Sequence, residues 1–231
     1  MLIESRLGFM LKKEKSPLNK VILLYVIYFL YTMLGSMLAA KLNISNSAYI
    51  MMPADVLFLV FSVIMYKDNL KNDFQKLKET RFLKIVGIIL LGIISIILLN
   101  GIMGVITDII LPDLNMDSNT SAMLSLLRTS PIYAFFKVLV FAPIAEEILF
   151  RESISTCVKD NILFIIFSAL IYTMMNFIFN SSTLTLVDLL VYFVPALLFS
   201  FIYVKNDRNI IIVMIIKFIM QFIPFIMLLV K

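Results

Sequence analysis

The sequence predicts an all-α, polytopic transmembrane helical bundle of about seven spans with its N-terminus inside. Composition is the first observation: of 231 residues, 61% are hydrophobic and 15% charged, against about 45–50% apolar and about 25% charged in soluble domains. Mean hydropathy, at +1.02, is the second. The third is the recurrence of apolar runs of about 20 residues, the length at which a helix crosses a hydrocarbon core. Lipid cannot satisfy free backbone groups, so only helices or closed barrels span it, and barrel strands would alternate over roughly 10 residues. The runs here are longer and do not alternate.

Taken in order, residues 1–20 form a cytoplasmic N-terminal segment in which Leu2, Ile3, Leu7, Met10 and Leu11 recur at roughly helical spacing among basic residues. That pattern fits a helix on the inner membrane face, and equally a solvated tail. Residues 21–231 read as one transmembrane domain, with spans at Val21–Ala40, Tyr49–Tyr66, Ile85–Leu111, Pro131–Val158, Ile162–Phe179, Leu186–Val204 and Ile210–Val230. The first exceeds the apolar region of about 7–15 residues in a cleaved signal peptide, so it is expected to stay as an anchor. Prolines 53, 143, 195 and 224 fall inside spans, where they bend helices. Pro143 and Pro224 stand closest to polar residues and are expected to open space there.

The connecting segments sort by charge. Arg6, Lys12, Lys13, Lys15 and Lys20 precede the first span, and Lys67, Lys71, Lys76, Lys78, Arg81 and Lys84 lie between the second and third. Lys159, Lys205 and Arg208 fall in the next loops on that side, while the other side carries Lys41, Arg128 and Lys231. The positive-inside rule then places the N-terminus in the cytoplasm and the C-terminus outside. The net charge of +5 therefore reports orientation and contact with membrane lipids, not nucleic acid.

No histidine and a single cysteine, Cys157, are present. This removes the usual zinc ligands, the usual general base and any internal disulfide; no metal and no cofactor is expected. Chemistry must come from carboxylates, amides or lysines. The fourth span offers them in Phe141-Ala142-Pro143-Ile144-Ala145-Glu146-Glu147-Ile148-Leu149-Phe150-Arg151-Glu152. A charge at mid-bilayer costs roughly 2.5–3.5 kcal/mol on insertion scales and persists where it is needed. Glu147 and Arg151 are i,i+4 and can pair, whereas Glu146 points about 100° away and is left freer to act. At 1.5 Å per residue, Glu146, Asn176, Lys217 and Gln221 lie about 20, 22, 12 and 18 Å from the same membrane face, so polar groups converge from three helices. Lys217 and Gln221 share a helical face. A structural ion-pair core, with Lys217 neutralising both glutamates, is the alternative use of these residues. Lys137 is expected to snorkel to the outer surface and Asp108 and Asp188 to be hydrated near outer span ends; Asp55 lies deeper, and membership of the site is the weaker of its two readings.

Glu146-Glu147-x-x-x-Arg151, then Tyr172-Thr173-Met174-Met175-Asn176, then Lys217-x-x-x-Gln221 resemble the motifs of the CAAX-protease and bacteriocin-processing (CPBP, or Abi) family of intramembrane peptidases. The resemblance covers a core at about residues 131–231. It implies that Glu146 activates the hydrolytic water, that Glu147 and Arg151 orient it, and that Asn176, Lys217 and Gln221 occupy the positions of the family's two histidines and asparagine. Glu152 stands where the family commonly has glycine. An amide orients water or donates to an oxyanion but does not take a proton as imidazole does. The expectation is thus a divergent CPBP/Abi-type membrane protein with reduced or lost catalysis, acting on a hydrophobic or lipidated peptide or on a membrane protein partner. The alternative is a histidine-less pseudoprotease serving as a bacteriocin self-immunity protein or as a scaffold for a cell-envelope enzyme. An ion-coupled transporter comes third, since no inverted repeat is evident. The resemblance implies a bacterial plasma membrane.

Overall fold

A computed structural model describes residues 16–42, 47–110, 118–180 and 186–229. Among these residues the chain is helical, with no strand. Most of the N-terminal segment expected at the membrane face lies outside the described residues, and Pro17–Lys20 already belong to the first helix. That helix, α1 (Pro17–Lys41), starts where sequence chemistry says it should: proline sits at the first helical position, and the Asn19 amide donates to the Ser16 hydroxyl at 3.3 Å, capping the orphan donor.

Next come α2 (Ala48–Met65), α3 (Lys67–Glu79), α4 (Phe82–Ile110) and α5 (Ser118–Thr129). A continuous helical stretch then runs as α6 (Pro131–Phe136), two π-helical segments, π1 (Lys137–Glu146) and π2 (Ile148–Glu152), and α7 (Ser153–Cys157). The chain ends with α8 (Asn161–Asn180), α9 (Leu186–Lys205) and α10 (Ile210–Leu229). By length and composition five helices can cross a membrane: Pro17–Ala39, Ala48–Met65, Phe82–Ile106, Asn161–Ile178 and Ile210–Leu229. The other two expected spans are helical as well. One is the π-interrupted stretch with its ionised residues; the other contributes the shorter apolar helix Tyr192–Lys205.

Two helices were not anticipated as elements. The polar α3 repeats Leu70, Phe74 and Leu77 on one side, and α5 precedes the Pro131 start of α6. The function of α3 is visible in its contacts. Its Asp73 is buried, accepts the Ile210 amide at 2.9 Å through its carboxylate, and accepts from Asn209 Nδ2 at 2.9 Å through its carbonyl. A carboxylate thus caps the N-terminus of α10, where the helix dipole favours negative charge. The turn before it uses left-handed backbone at Asp207 (φ 53°) and Arg208 (φ 56°). This turn aims the Arg208 guanidinium at the carbonyls of Ser155 (3.2 Å), Val158 (3.0 Å) and Lys159 (2.7 Å), closing the end of α7. A residue read as an orientation charge is also a helix clamp.

The core wraps around the π-helical segments. Phe141, Ala145, Ile148, Leu149 and Phe150 are buried against Leu24, Phe58, Phe164 and Ile216 from α1, α2, α8 and α10. The outward faces of α1 and α4 remain apolar and exposed, as lipid-facing helices should: Leu18, Met37, Leu91 and Leu98 are among them. Pro143 lies inside π1 and is buried, whereas α9 and α10 continue through Pro195 and Pro224.

Candidate functional site

The site is built on the junction of π1 and π2. π-Helical turns, with i→i+5 bonding, are rare and mostly short, and they recur at functional sites. Here Pro143 supplies no amide hydrogen, and carbonyls of the following segment find donors from neighbouring helices. Leu149 O accepts from the Tyr25 hydroxyl of α1 at 2.8 Å, and Phe150 O accepts from the Ser168 hydroxyl of α8 at 2.6 Å, itself reached by Ser200 of α9 at 3.0 Å. Hydroxyls from α1 and α8 therefore hold the irregular segment in place, the second of them backed by Ser200 of α9. Satisfying such groups is obligatory where water is excluded.

On this frame Glu146 and Glu147 diverge. Glu147 is fully buried, and its Oε1 accepts from Arg151 Nη1 at 3.1 Å and from Lys217 Nζ at 2.8 Å. The Arg151 side chain is 1% exposed, and its guanidinium lies 4.9 Å from the Tyr172 ring centroid and 5.7 Å from that of Phe199. Lys217 also donates to Glu146 Oε2 at 2.9 Å and stands 5.6 Å from the same Tyr172 ring. Two carboxylates and two cations thus form one balanced cluster, with Tyr172 as the shared cation–π surface. The packing that carries Arg151 also places Tyr172 edge-on to Phe150, at 5.0 Å between centroids. Glu147 Oε2 and Arg151 Nε are buried without a hydrogen-bond partner among the described residues.

Glu146 keeps one side open. Its side chain is 20% exposed and lines a cavity of about 300 Å³ together with Tyr28, Tyr133, Lys137, Met175 and Asn176. Asn176, one helical turn after Tyr172, donates through Nδ2 to the Tyr172 carbonyl at 2.9 Å. Five of the six expected site residues therefore lie on the cluster or its cavity. Gln221 is the exception. It lies one turn beyond Lys217 on α10, but it makes no hydrogen bond to either carboxylate among the described residues, and its Oε1 is buried without a partner.

Across the cavity the structure corrects one expectation. Lys137 does not snorkel outward; it pairs with Asp55 at 2.8 Å, and its ammonium lies 3.9 Å from the Phe141 ring centroid. Asp55 is completely buried and also accepts hydroxyls from Tyr31 at 2.8 Å and Tyr133 at 2.7 Å. A snorkelling argument treats a lysine alone; here a buried carboxylate one helix away outcompetes water. Asp55 thus reaches the cavity through Lys137 and Tyr133. The side chains of Asp108 and Asp188 lie outside the described residues.

Glu152 forms a further buried centre, accepting from Asn69 Nδ2 of α3 and from the Tyr203 hydroxyl of α9 at 2.8 Å. It joins α3 to the bundle and lies apart from the cavity lining. No group of three or more histidine, cysteine or acidic side chains arranged to hold a metal occurs among the described residues.

Residues 128–223 match the family model described as Type II CAAX prenyl endopeptidase Rce1-like. The match encloses all six expected site residues. No curated protein and no solved structure matches the chain.

Proposed function

From a membrane protein that is CAAX-endopeptidase-like over residues 128–223, we propose a divergent, histidine-less relative that holds a hydrophobic or lipidated peptide, or a segment of a membrane protein partner, beside Glu146 and hydrolyses it slowly or not at all. The observation that carries this reading is the double contact of Lys217, 2.9 Å from Glu146 and 2.8 Å from Glu147. A carboxylate that activates water must draw a proton from it. Glu146 stands on the cavity wall where such a water would sit, yet an ammonium already balances its charge, and the chain has no imidazole to share the proton transfer. General acid–base help is worth about 10²–10⁴-fold, so its loss makes hydrolysis slow or silent.

The surroundings favour an apolar ligand. A pocket of about 480 Å³, lined by Tyr49, Met52, Pro53 and Ile132, shares Tyr133 with the central cavity. Another, of about 320 Å³ between Tyr25, Phe29 and Leu30, shares Met175. Apolar walls flanking a few polar groups are the usual form of a binding site. Binding without cutting is what a bacteriocin self-immunity protein or a scaffold of a cell-envelope enzyme would use, and a bacterial plasma membrane belongs to the same proposal.

A second reading, retained peptidase activity, draws support from Glu146 and Asn176 lining one cavity. In it Glu146 is the sole base and Asn176 orients water or donates to the oxyanion. Occupancy of the cavity is tested by photo-crosslinking a hydrophobic peptide to the purified chain in lipid vesicles. Wild type and Glu146→Gln should label alike, and Asn176→Phe, which fills the cavity, should lose the label. Equal labelling of all three would mean that the peptide does not occupy the cavity.

A further inference from the structure

The cavity beside Glu146 is bordered by as many positive as negative charges. Its wall presents one of each, Lys137 and Glu146. Behind Lys137 stands the fully buried Asp55, 2.8 Å from the ammonium. Behind Glu146 stand Lys217, Glu147 and Arg151, linked through contacts of 2.9, 2.8 and 3.1 Å. Three cations thus meet three carboxylates, and each cation already touches one. A carboxylate entering this space leaves water and finds no unmatched cation, and an ammonium finds no unmatched anion. Burying an ion without a counter-charge is unfavourable.

The uncharged part of the wall offers oxygen lone pairs. A hydroxyl has one proton to donate. That of Thr32 goes to the Tyr28 carbonyl at 2.8 Å, that of Ser36 to the Met33 carbonyl at 2.9 Å, and that of Tyr133 to Asp55 at 2.7 Å. What remains on these three lining side chains is acceptor capacity. Glu146 adds to it: Lys217 donates to its Oε2, while its Oε1 has no hydrogen-bond partner among the described residues. Lys137 supplies the complementary donor, since its ammonium has three protons and Asp55 accepts from it through a single oxygen. Acceptors with a donor beside them and no net charge match the N–H and C=O groups of a peptide backbone, which are neutral and alternate along the chain.

We propose that the cavity selects an uncharged stretch of peptide backbone, the interior of a chain and not its charged end, and that Asp55 sets this selectivity by neutralising Lys137. The inference rests on the reading of the cavity as a peptide site and narrows it to segments whose N–H groups meet Glu146 and the hydroxyl oxygens of α1 and α6 while a carbonyl meets Lys137. Asp55 acts through Lys137, so its effect shows in a ratio between ligands, which a purely structural role would not move.

The test photo-crosslinks the purified chain in lipid vesicles with one hydrophobic peptide in three forms bearing the same crosslinker: both ends blocked, a free C-terminal carboxylate, and a free N-terminal amine. On wild type the blocked form should label at least about tenfold more strongly than either charged form, as a mismatched charge demands. D55N keeps a carbonyl oxygen for Tyr31 and Lys137 but removes the negative charge, and should raise labelling by the carboxylate form to the level of the blocked one. E146Q shifts the balance by the same one charge from another wall and should do likewise, which keeps the charge argument testable if D55N does not fold. Wild type labelled equally by the blocked form and either charged form would overturn the selectivity while leaving the cavity a peptide site. An unchanged ratio in folded D55N would overturn the part given to Asp55. Labelling by none of the forms would overturn the peptide site itself, and the selectivity with it.

Discussion

Lys217 connects the two glutamates, and its removal leaves a buried negative charge uncompensated. Breaking a buried pair in this way costs about 3–5 kcal/mol, so Lys217→Met should lower the melting temperature of the detergent-purified chain by several degrees. Adding Glu146→Gln removes the charge that the lysine had balanced, and the double variant should be more stable than the sum of single effects predicts. Strict additivity in that cycle would mean the two side chains do not interact. Asp55→Ala makes a parallel case: it strands Lys137 and the Tyr31 and Tyr133 hydroxyls, and thermal denaturation should show a loss comparable to that of Lys217→Met. The pairing of Glu147 with Arg151 was legible in the sequence because both lie within one turn of a single helix. Lys137–Asp55 was not, since the partners are 82 positions apart and local rules assign such a lysine to the surface. Gln221 shows the converse limit: sharing a face with Lys217 did not bring its shorter side chain to the carboxylates.

Helices that hydropathy detects are those that must satisfy themselves in lipid, which is why each of the seven apolar runs forms helix over nearly all of its described residues. The polar α3 escaped because its role is tertiary. Asp73 reaches across to the amide of Ile210, and no periodicity in Lys67–Glu79 announces that. Asp73→Ala should cost about 1–2 kcal/mol, the scale of a lost N-cap, with hydrogen exchange rising first in the opening turn of α10; unchanged exchange there would rule out the cap. The π-helical stretch was equally hidden, since Pro143 signals only irregularity. Its form depends on hydroxyls from Tyr25 and Ser168 that no reading of residues 131–157 alone includes. Ser168→Ala should loosen the segment bearing Glu147 and Arg151, seen as lower thermal stability with the helix content of the folded state unchanged.

At the scale of the whole molecule, three features stand in line: lipid-facing α1 and α4, a π-helical axis carrying a charge-balanced cluster, and a cavity with Glu146 on one wall and Lys137 on another. The scaffold is CAAX-endopeptidase-like over residues 128–223, but every proton acceptor in the cluster is a carboxylate already in contact with a cation. We propose that this arrangement binds peptide and scarcely cuts it. The most direct measurement follows hydrophobic, C-terminally lipidated peptides by mass spectrometry after incubation with the purified chain in lipid vesicles, alongside Glu146→Gln. Peptide that stays intact, or is cleaved at least about a hundredfold more slowly than by a histidine-bearing endopeptidase of the same type, is the predicted result; cleavage at that enzyme's rate, abolished by Glu146→Gln, would contradict it.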